Sequence, residues 1–394
     1  MKNKRIHQSS GVTIIEVLFS IGIIVTGLLG VAGLIMIAGT QMTQGLAADA
    51  MSNAGLNAIA EFDSREMRRP DNLLWYNPST SSFTSVLSNN LYGPGTDSRW
   101  GTADNDDDGT DGTDDIGEAG YGDDIPSPSF CIDPFFIAQQ IHDNNLISPA
   151  VSYFPGISIP ADNPDQIVQM LRVTLKNNNP GAPYRMGLLQ SREIFLAKDD
   201  LSISKPTSAT ELPQQTWIET QAGDYVKRLN AAEISWMATL TPNRNREDPD
   251  NNTTLEPTDQ YLMSIVVLNK RYVNYKEDTA NVQKERRFDV KFLNGGYGGG
   301  EIQLFHLDRT KLDLKHGNWI MLGANSTIGP VFRWYRINFV DDQIKQDSTG
   351  PGWYRSMTIQ GPDWTRKEWH INGKSHATFI PGVVGVFEKT IRFE

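Results

Sequence analysis

With 394 residues, 39% of them apolar and 21% charged, the chain has material for a sizeable core, which excludes a wholly disordered or fibrous protein. Its net charge is −11, but residues 97–124 hold eleven acids against one base, Arg99, so the remainder is close to neutral. No Lys and Arg cluster is dense enough to neutralise a phosphate backbone, so nucleic acid is not an expected partner. The single cysteine, Cys131, excludes an intrachain disulfide and a cysteine-rich zinc site.

Chain order begins with Lys2, Lys4 and Arg5, followed by an uncharged apolar stretch from Val17 to Ala38. Those 22 residues make a helix of roughly 33 Å, enough to cross the hydrocarbon core of a bilayer. The basic flank predicts a cytoplasmic N-terminus, with the acidic remainder across the membrane. Three readings compete for this segment. A secretory signal peptide has a shorter apolar region and a small-x-small cleavage site, which fits poorly here. A plain signal anchor fits the length and the flanks but gives no role to Glu16, a carboxylate at the head of an apolar span, where an unpaired charge costs about 2–3 kcal/mol.

The third reading takes the residues together. Ser10-Gly11-Val12-Thr13-Ile14-Ile15-Glu16-Val17-Leu18 resembles the type IV prepilin signature, in which a short basic leader ends in Gly, cleavage follows, and Glu is the fifth residue of the mature chain. Cutting after Gly11 makes Val12 the first residue and Glu16 the fifth; the family usually has Phe where this chain has Val12. The resemblance covers about the first 40 to 70 residues. It implies removal of the leader by a prepilin peptidase, retention of the apolar helix in the bacterial inner membrane, and assembly with other pilin or pseudopilin subunits. It further implies that the Glu16 carboxylate pairs with the new terminal amine of a neighbour, a use of a buried ion pair that sets register.

Gly22, Gly27, Gly30, Gly33 and Gly39 punctuate the span, permitting close helix approach while weakening the helix by about 1 kcal/mol each relative to Ala. Beyond it Leu46, Ala50, Ala54, Ile59 and Phe62 form one apolar stripe, predicting that the same helix continues to Arg69 and is ended by Pro70. A leader 1–11, an assembly helix 12–40 and an amphipathic extension 41–69 follow from these marks.

Residues 93–125 are rich in Asp and Gly and read as a loop. Asp104-x-Asp106-x-Asp108-Gly109 reproduces the first half of an EF-hand loop, with Thr110 offering its carbonyl and Asp115 at the twelfth position in place of Glu. Hard oxygen ligands at that spacing suit Ca²⁺, and a solvated linker is the competing reading.

Residues 70–230, which contain that loop, read as an irregular α/β region. Asp133-Pro134 is a cap and first-turn proline opening a short helix, and Asn163 to Lys176 has helical spacing of Ile167, Met170, Leu171 and Leu175. Cys131, without a partnered His or a motif, reads as a small buried residue. Residues 231–394 read as an antiparallel β domain. Strands are predicted at Ile234–Leu240, Tyr261–Leu268, Phe288–Phe292, Ile302–Leu304, Trp319–Leu322, Val331–Phe339, Tyr354–Ile359 and Val383–Phe393, with Gly295–Gly300 as a hairpin loop. Trp319, Trp334, Trp353, Trp364 and Trp369 read as core, with sugar or protein stacking as the alternative. His370 and His376 lack a third ligand at metal spacing.

The expected fold is therefore α+β: a pilin-like long N-terminal helix, membrane-spanning in its first half, packed on a large, mainly antiparallel β head with short helices. No HExxH, GxSxG, Walker A or cysteine-nucleophile motif occurs, so an enzyme is not expected. The expected function is a structural subunit of a type IV pilus or type II secretion pseudopilus. The size of the head points to a minor subunit, resembling the V-type minor pilins, that ends in the periplasm or an extracellular filament. The alternatives are a surface adhesin or calcium-dependent binding module on a pilin-like anchor, and a signal-anchored periplasmic protein.

Overall fold

The structure, a computed structural model, describes residues 13–87, 128–142, 151–156, 168–177, 184–197, 217–219, 226–228, 234–242, 260–271, 273, 285–326, 329–348, 350–364 and 371–392. Two compact units divide the chain, one up to Asn53 and one from Ala54 to Glu394. Helix α1 runs from Ile14 to Ser64, 51 residues. It stops before the expected Arg69: Glu66 takes a positive φ and the Met67 amide donates back to the Phe62 carbonyl, so the chain has turned by the time Pro70 opens a short 3-10 turn.

The second unit is mainly β, in agreement with an α+β fold. In chain order its elements are β1 Leu73–Asn77, β2 Ser82–Ser85, β3 Phe130–Ile132, α2 Pro134–His142, β4 Tyr153–Phe154, β5 Met170–Leu175, α3 Leu188–Phe195, β6 Trp217–Glu219, β7 Val226–Arg228, β8 Ile234–Pro242 and β9 Gln260–Asn269. There follow β10 Arg286–Phe292, β11 Gly299–His306, β12 Trp319–Ser326, β13 Gly329–Val340, β14 Lys345–Gln346, β15 Trp353–Gln360, β16 Ile371–Phe379 and β17 Val383–Arg392. Among the described residues β6 and β7 pair with each other alone.

One sheet has the order β17-β9-β8-β3-β5-β1-β2, with β4 also on β5, and thus draws strands from both sides of residue 230. All its pairings are antiparallel except β3 with β5. The helix expected over Asn163 to Lys176 is in its described part the strand β5. Its apolar residues lie on both sides of the sheet, and Val173 pairs with Trp75 and Ile132 on neighbouring strands. Leu171, Val173 and Leu175 alternate with the buried polar Arg172 and Thr174 at a strand period of two, and Met170 on the opposite face adds the apolar position that imitates helical spacing.

The other sheet closes on itself. β10, β11, β15, β13, β12 and β16 pair in a ring, with β16 returning to β10, and β14 extends one edge of β15. An even number of strands lets every pairing be antiparallel, and closure leaves no open edge in the ring. Alternate residues point inward: Phe288, Ile302, Leu304, Ile320, Leu322, Val331, Tyr335, Ile337, Met357, Ile359, Ala377 and Phe379 fill the barrel, and Leu312, Leu314 and Trp364 join them. The expected Gly295–Gly300 hairpin joins β10 and β11. Gly296 and Gly299 have positive φ, and a Cβ there would meet the Trp364 and Ile359 carbonyl oxygens at 2.3 and 2.6 Å, so no other residue fits.

The first sheet lies between two cores. Its helix-facing side carries Phe130, Ile132, Trp236, Ala238, Leu240, Tyr261, Met263, Ile265 and Val267, packed with Ala54, Ala58 and Phe62 of α1 and with Phe195 of α3. Its opposite side carries Cys131, Met170, Met237, Val266 and Leu268, packed against Met321, Phe332 and Trp334 on the outer wall of the barrel. Two polar ties cross that layer: Trp334 Nε1 donates to Thr239 Oγ1 at 3.0 Å, and Ser129 Oγ donates to the Pro330 carbonyl at 3.0 Å.

Candidate functional site

Of the processing and assembly residues that the sequence singles out, the structure describes Glu16, near the start of α1. Thr13 precedes the helix and its hydroxyl accepts from the Glu16 amide at 3.4 Å, an arrangement of Thr and Glu three apart that caps the helix N-terminus. Glu16 is the acid of the first turn, where the helix dipole favours negative charge. Gly11 and Val12, the expected cleavage junction, lie outside the described residues.

Beyond Glu16 the helix is apolar on every side. Ile14–Val31 is long and apolar enough to cross a membrane, and none of it is buried against the described residues. Leu18, Phe19, Ile23, Leu28 and Leu29 are all exposed, and successive positions 100° apart leave no polar face. The two hydroxyls of this segment are satisfied internally: Ser20 Oγ donates to the Glu16 carbonyl at 2.7 Å and Thr26 Oγ1 to the Gly22 carbonyl at 2.8 Å. That internal bonding removes their need for water, as a hydrocarbon surrounding requires. A Cβ built on Gly22, Gly27, Gly30 or Gly33 meets nothing within 4 Å, so the small side chains leave open surface for close approach.

The stripe that continues the helix is buried where it reaches the second unit. Ala54, Ala58 and Phe62 are buried at four-residue spacing and Ile59 packs against them, whereas Ala50 is exposed. Gly55 rides directly on β17: a Cβ there would sit 2.3 Å from Cε2 of Phe387. Lys389 of the same strand reaches Asp63 at 2.9 Å.

Asp104, Asp106, Asp108, Thr110 and Asp115 of the calcium-like loop lie outside the described residues, as do His370 and Trp369. His376 lies in β16 with Nδ1 3.1 Å from Asp289 Oδ1 and with Arg287 Nη2 at 2.9 Å, a guanidinium that repels a cation. Among the described residues no three His, Cys, Asp or Glu side chains converge on a metal position. Cys131 is buried with its thiol 4.0 Å from Met237 Sδ, and burial pushes its pKa up, so the thiolate is suppressed. Trp334 and Trp364 are buried core, and Trp319 and Trp353 are half-buried.

Sequence reasoning missed one constellation, a buried group of Asp133, Arg172, Arg271 and Glu285. The only signal for it was Asp133 as a helix cap, which the structure retains through the Phe136 amide at 3.4 Å. The comparisons add no relative: no family model matches the chain, and no curated protein or solved structure is similar to it.

Proposed function

We propose that the protein is a type IV pilin-like subunit, made as a precursor, cleaved after Gly11 by a prepilin peptidase and assembled through its N-terminal helix with other pilin or pseudopilin subunits. It works by packing and performs no chemistry. In this reading the helix first resides in the bacterial inner membrane with its N-terminus cytoplasmic, and the β head lies in the periplasm. The size of the head suits a minor subunit, since so large a domain would crowd a slender filament at every position.

One observation carries the reading: an apolar helical span with no covering among the described residues, headed by a lone carboxylate at the fifth position after the Gly11–Val12 junction. A helix apolar on all sides needs lipid or other helices around it. Exchanging lipid for neighbouring helices of the same kind needs no new surface, and the amine freed at Val12 would give Glu16 an ionic partner in a medium where an unpaired charge is costly. The capping geometry at Thr13 is compatible with this, because it occupies the Glu16 amide and leaves the carboxylate to face outward.

The test is intact mass with N-terminal peptide mapping of the protein taken from its native membrane. A chain beginning at Val12, with or without one added methyl group, supports the proposal. A chain beginning at Met1, or after residue 38, overturns it in favour of an anchor or a secreted module.

A further inference from the structure

The buried group missed by sequence reasoning sits where the sheet hands over to the barrel. Arg271 follows β9, the last sheet strand before the barrel, and Glu285 immediately precedes β10, the first barrel strand. One end of that connection meets Asp133, between β3 and α2, and the other meets Arg172 of β5, which is itself bonded to Asp133. Arg271 Nη1 donates to Asp133 Oδ1 at 2.8 Å, and its Nη2 donates to Asp133 Oδ2. Arg172 Nη1 donates to Asp133 Oδ2 at 2.5 Å, and its Nη2 lies 3.2 Å from Glu285 Oε1. Glu285 Oε2 accepts from the Gly156 amide at 2.6 Å, beside β4, and Arg172 Nε donates to the Tyr153 carbonyl at 3.4 Å. Phe136 of α2 covers the Arg172 guanidinium, 4.0 Å from its ring centre.

Two guanidinium and two carboxylate groups balance in charge. The Asp133 and Arg172 side chains are wholly buried, and those of Arg271 and Glu285 nearly so. Such a group adds little attraction beyond what apolar packing would give, because desolvation offsets most of it; its distinctive property is direction. The apolar layer between sheet and barrel, built from Met170, Met237, Met321 and Phe332, supplies adhesion that is tolerant of sliding, and the Trp334–Thr239 and Ser129–Pro330 hydrogen bonds are single-point ties across it. The two-point fork of Arg271 on Asp133 tolerates no sliding, and Arg172 bridges Asp133 and Glu285 with one bond to each.

We propose that these four residues form a conformational device, an ionic pin that fixes the barrel in one seat on the sheet and makes the two open together. Removing a single charge strands its partner in a dry site, so the pin fails at its weakest joint, Arg172 to Glu285, which is the joint that holds the barrel. The sheet's own joint, Arg172 and Arg271 on Asp133, survives that loss. The barrel is then expected to loosen while the sheet persists.

The experiment uses the full chain in detergent micelles and reads amide hydrogen exchange strand by strand. In the unaltered protein β8, β9, β10 and β16 should exchange at similar opening free energies. In Glu285→Gln the amides of β10 and β16 should exchange on the order of a hundredfold faster, with those of β8 and β9 little changed. Equal acceleration in all four strands, or no acceleration at all, overturns the pin. Should Glu285→Gln fail to fold, the unaltered protein still decides the matter in urea. Loss of protection in both lobes at one midpoint supports the pin, and two separated midpoints overturn it.

Discussion

The two ends of helix α1 obey the same backbone geometry and opposite rules of burial. Along Ile14–Val31 every apolar side chain is exposed, with none of the described residues upon it, whereas from Ala54 to Phe62 the residues Ala54, Ala58, Ile59 and Phe62 form one stripe that is covered by the sheet. A stripe specifies an intramolecular partner and an all-round apolar surface specifies a solvent, lipid, or a crowd of similar helices. The lesson is that one element carries two separable tasks, so substitutions should divide them cleanly.

Glu16→Ala should have the largest effect. It should abolish assembly into filaments, scored in sheared or cross-linked fractions, while the melting temperature of the β head stays unchanged; an assembled Glu16→Ala protein would show that the carboxylate does not set register. At the other end Phe62→Ala should do the reverse, costing about 3–5 kcal/mol of head stability in thermal or denaturant unfolding, because a fully buried ring leaves a cavity among packed strands. Gly55→Leu should follow at about 1–3 kcal/mol, since Phe387 must leave its place for any side chain at 55. If Phe62→Ala and Gly55→Leu left the head's unfolding unaltered, the stripe would not be its seat.

Sequence made the long helix legible because charge stops at Arg5, resumes only at Glu16 and Asp49, and leaves a clear apolar span between those acids. Strands such as β8, β9, β13 and β17 were legible for a related reason, runs of Val, Ile, Met and aromatic residues bounded by polar ones. β16 escaped because Asn372, Gly373, Lys374, Ser375 and His376 occupy most of it, and only Ala377 and Phe379 betray its inward face. Closure of the barrel escaped too, since the pairing of β16 with both β10 and β12 joins residues far apart in the chain and leaves no local mark. The ionic pin is of that kind: four charged residues scattered over the chain look like solvated surface until folding brings them together.

Acid should act on the head with two opposite signs. Burial alone would raise the Asp133 carboxyl, yet the guanidinium groups of Arg271 and Arg172 and the Phe136 amide hold it below its ordinary 3.8. Its contribution is therefore present above that value and is lost as pH falls through the lower folded value. Glu388, on the exposed edge of β17, is the reverse: partial desolvation beside Ser264 raises it above its ordinary 4.5 despite Arg333 and the Ser264 hydroxyl, so its charged form opposes folding, weakly because solvent screens it, and protonation relieves that opposition. Denaturant midpoints of the full chain in micelles should rise slightly as pH drops through the range just above 4.5 and then fall below 3.8. Glu388→Gln should remove the rise and Asp133→Asn should lessen the fall, to which Asp63 and Asp289, also held low by their basic partners, contribute, and a curve that declines steadily from neutral pH would contradict the assignment.

The smallest expected effect falls on Leu56, which sharpens the comparison because it lies in the half of the helix that has its own partner yet remains 60% exposed. It stands two residues from Ala54, about 200° around the axis, and so faces away from the sheet. Leu56→Ser removes no contact with the core, and head stability should move by no more than about 0.5 kcal/mol. Were Leu56 only solvated surface, assembly would be equally indifferent. In a bundle of subunits packed helix to helix, however, the outward side of this half-turn is what a neighbour would meet next after the apolar span. Assembly of Leu56→Ser should accordingly fall below that of the unaltered chain while staying well above that of Glu16→Ala. Equal yields of filament from Leu56→Ser and the unaltered chain would confine the assembly surface to the apolar span and leave the second half of the helix to the head alone.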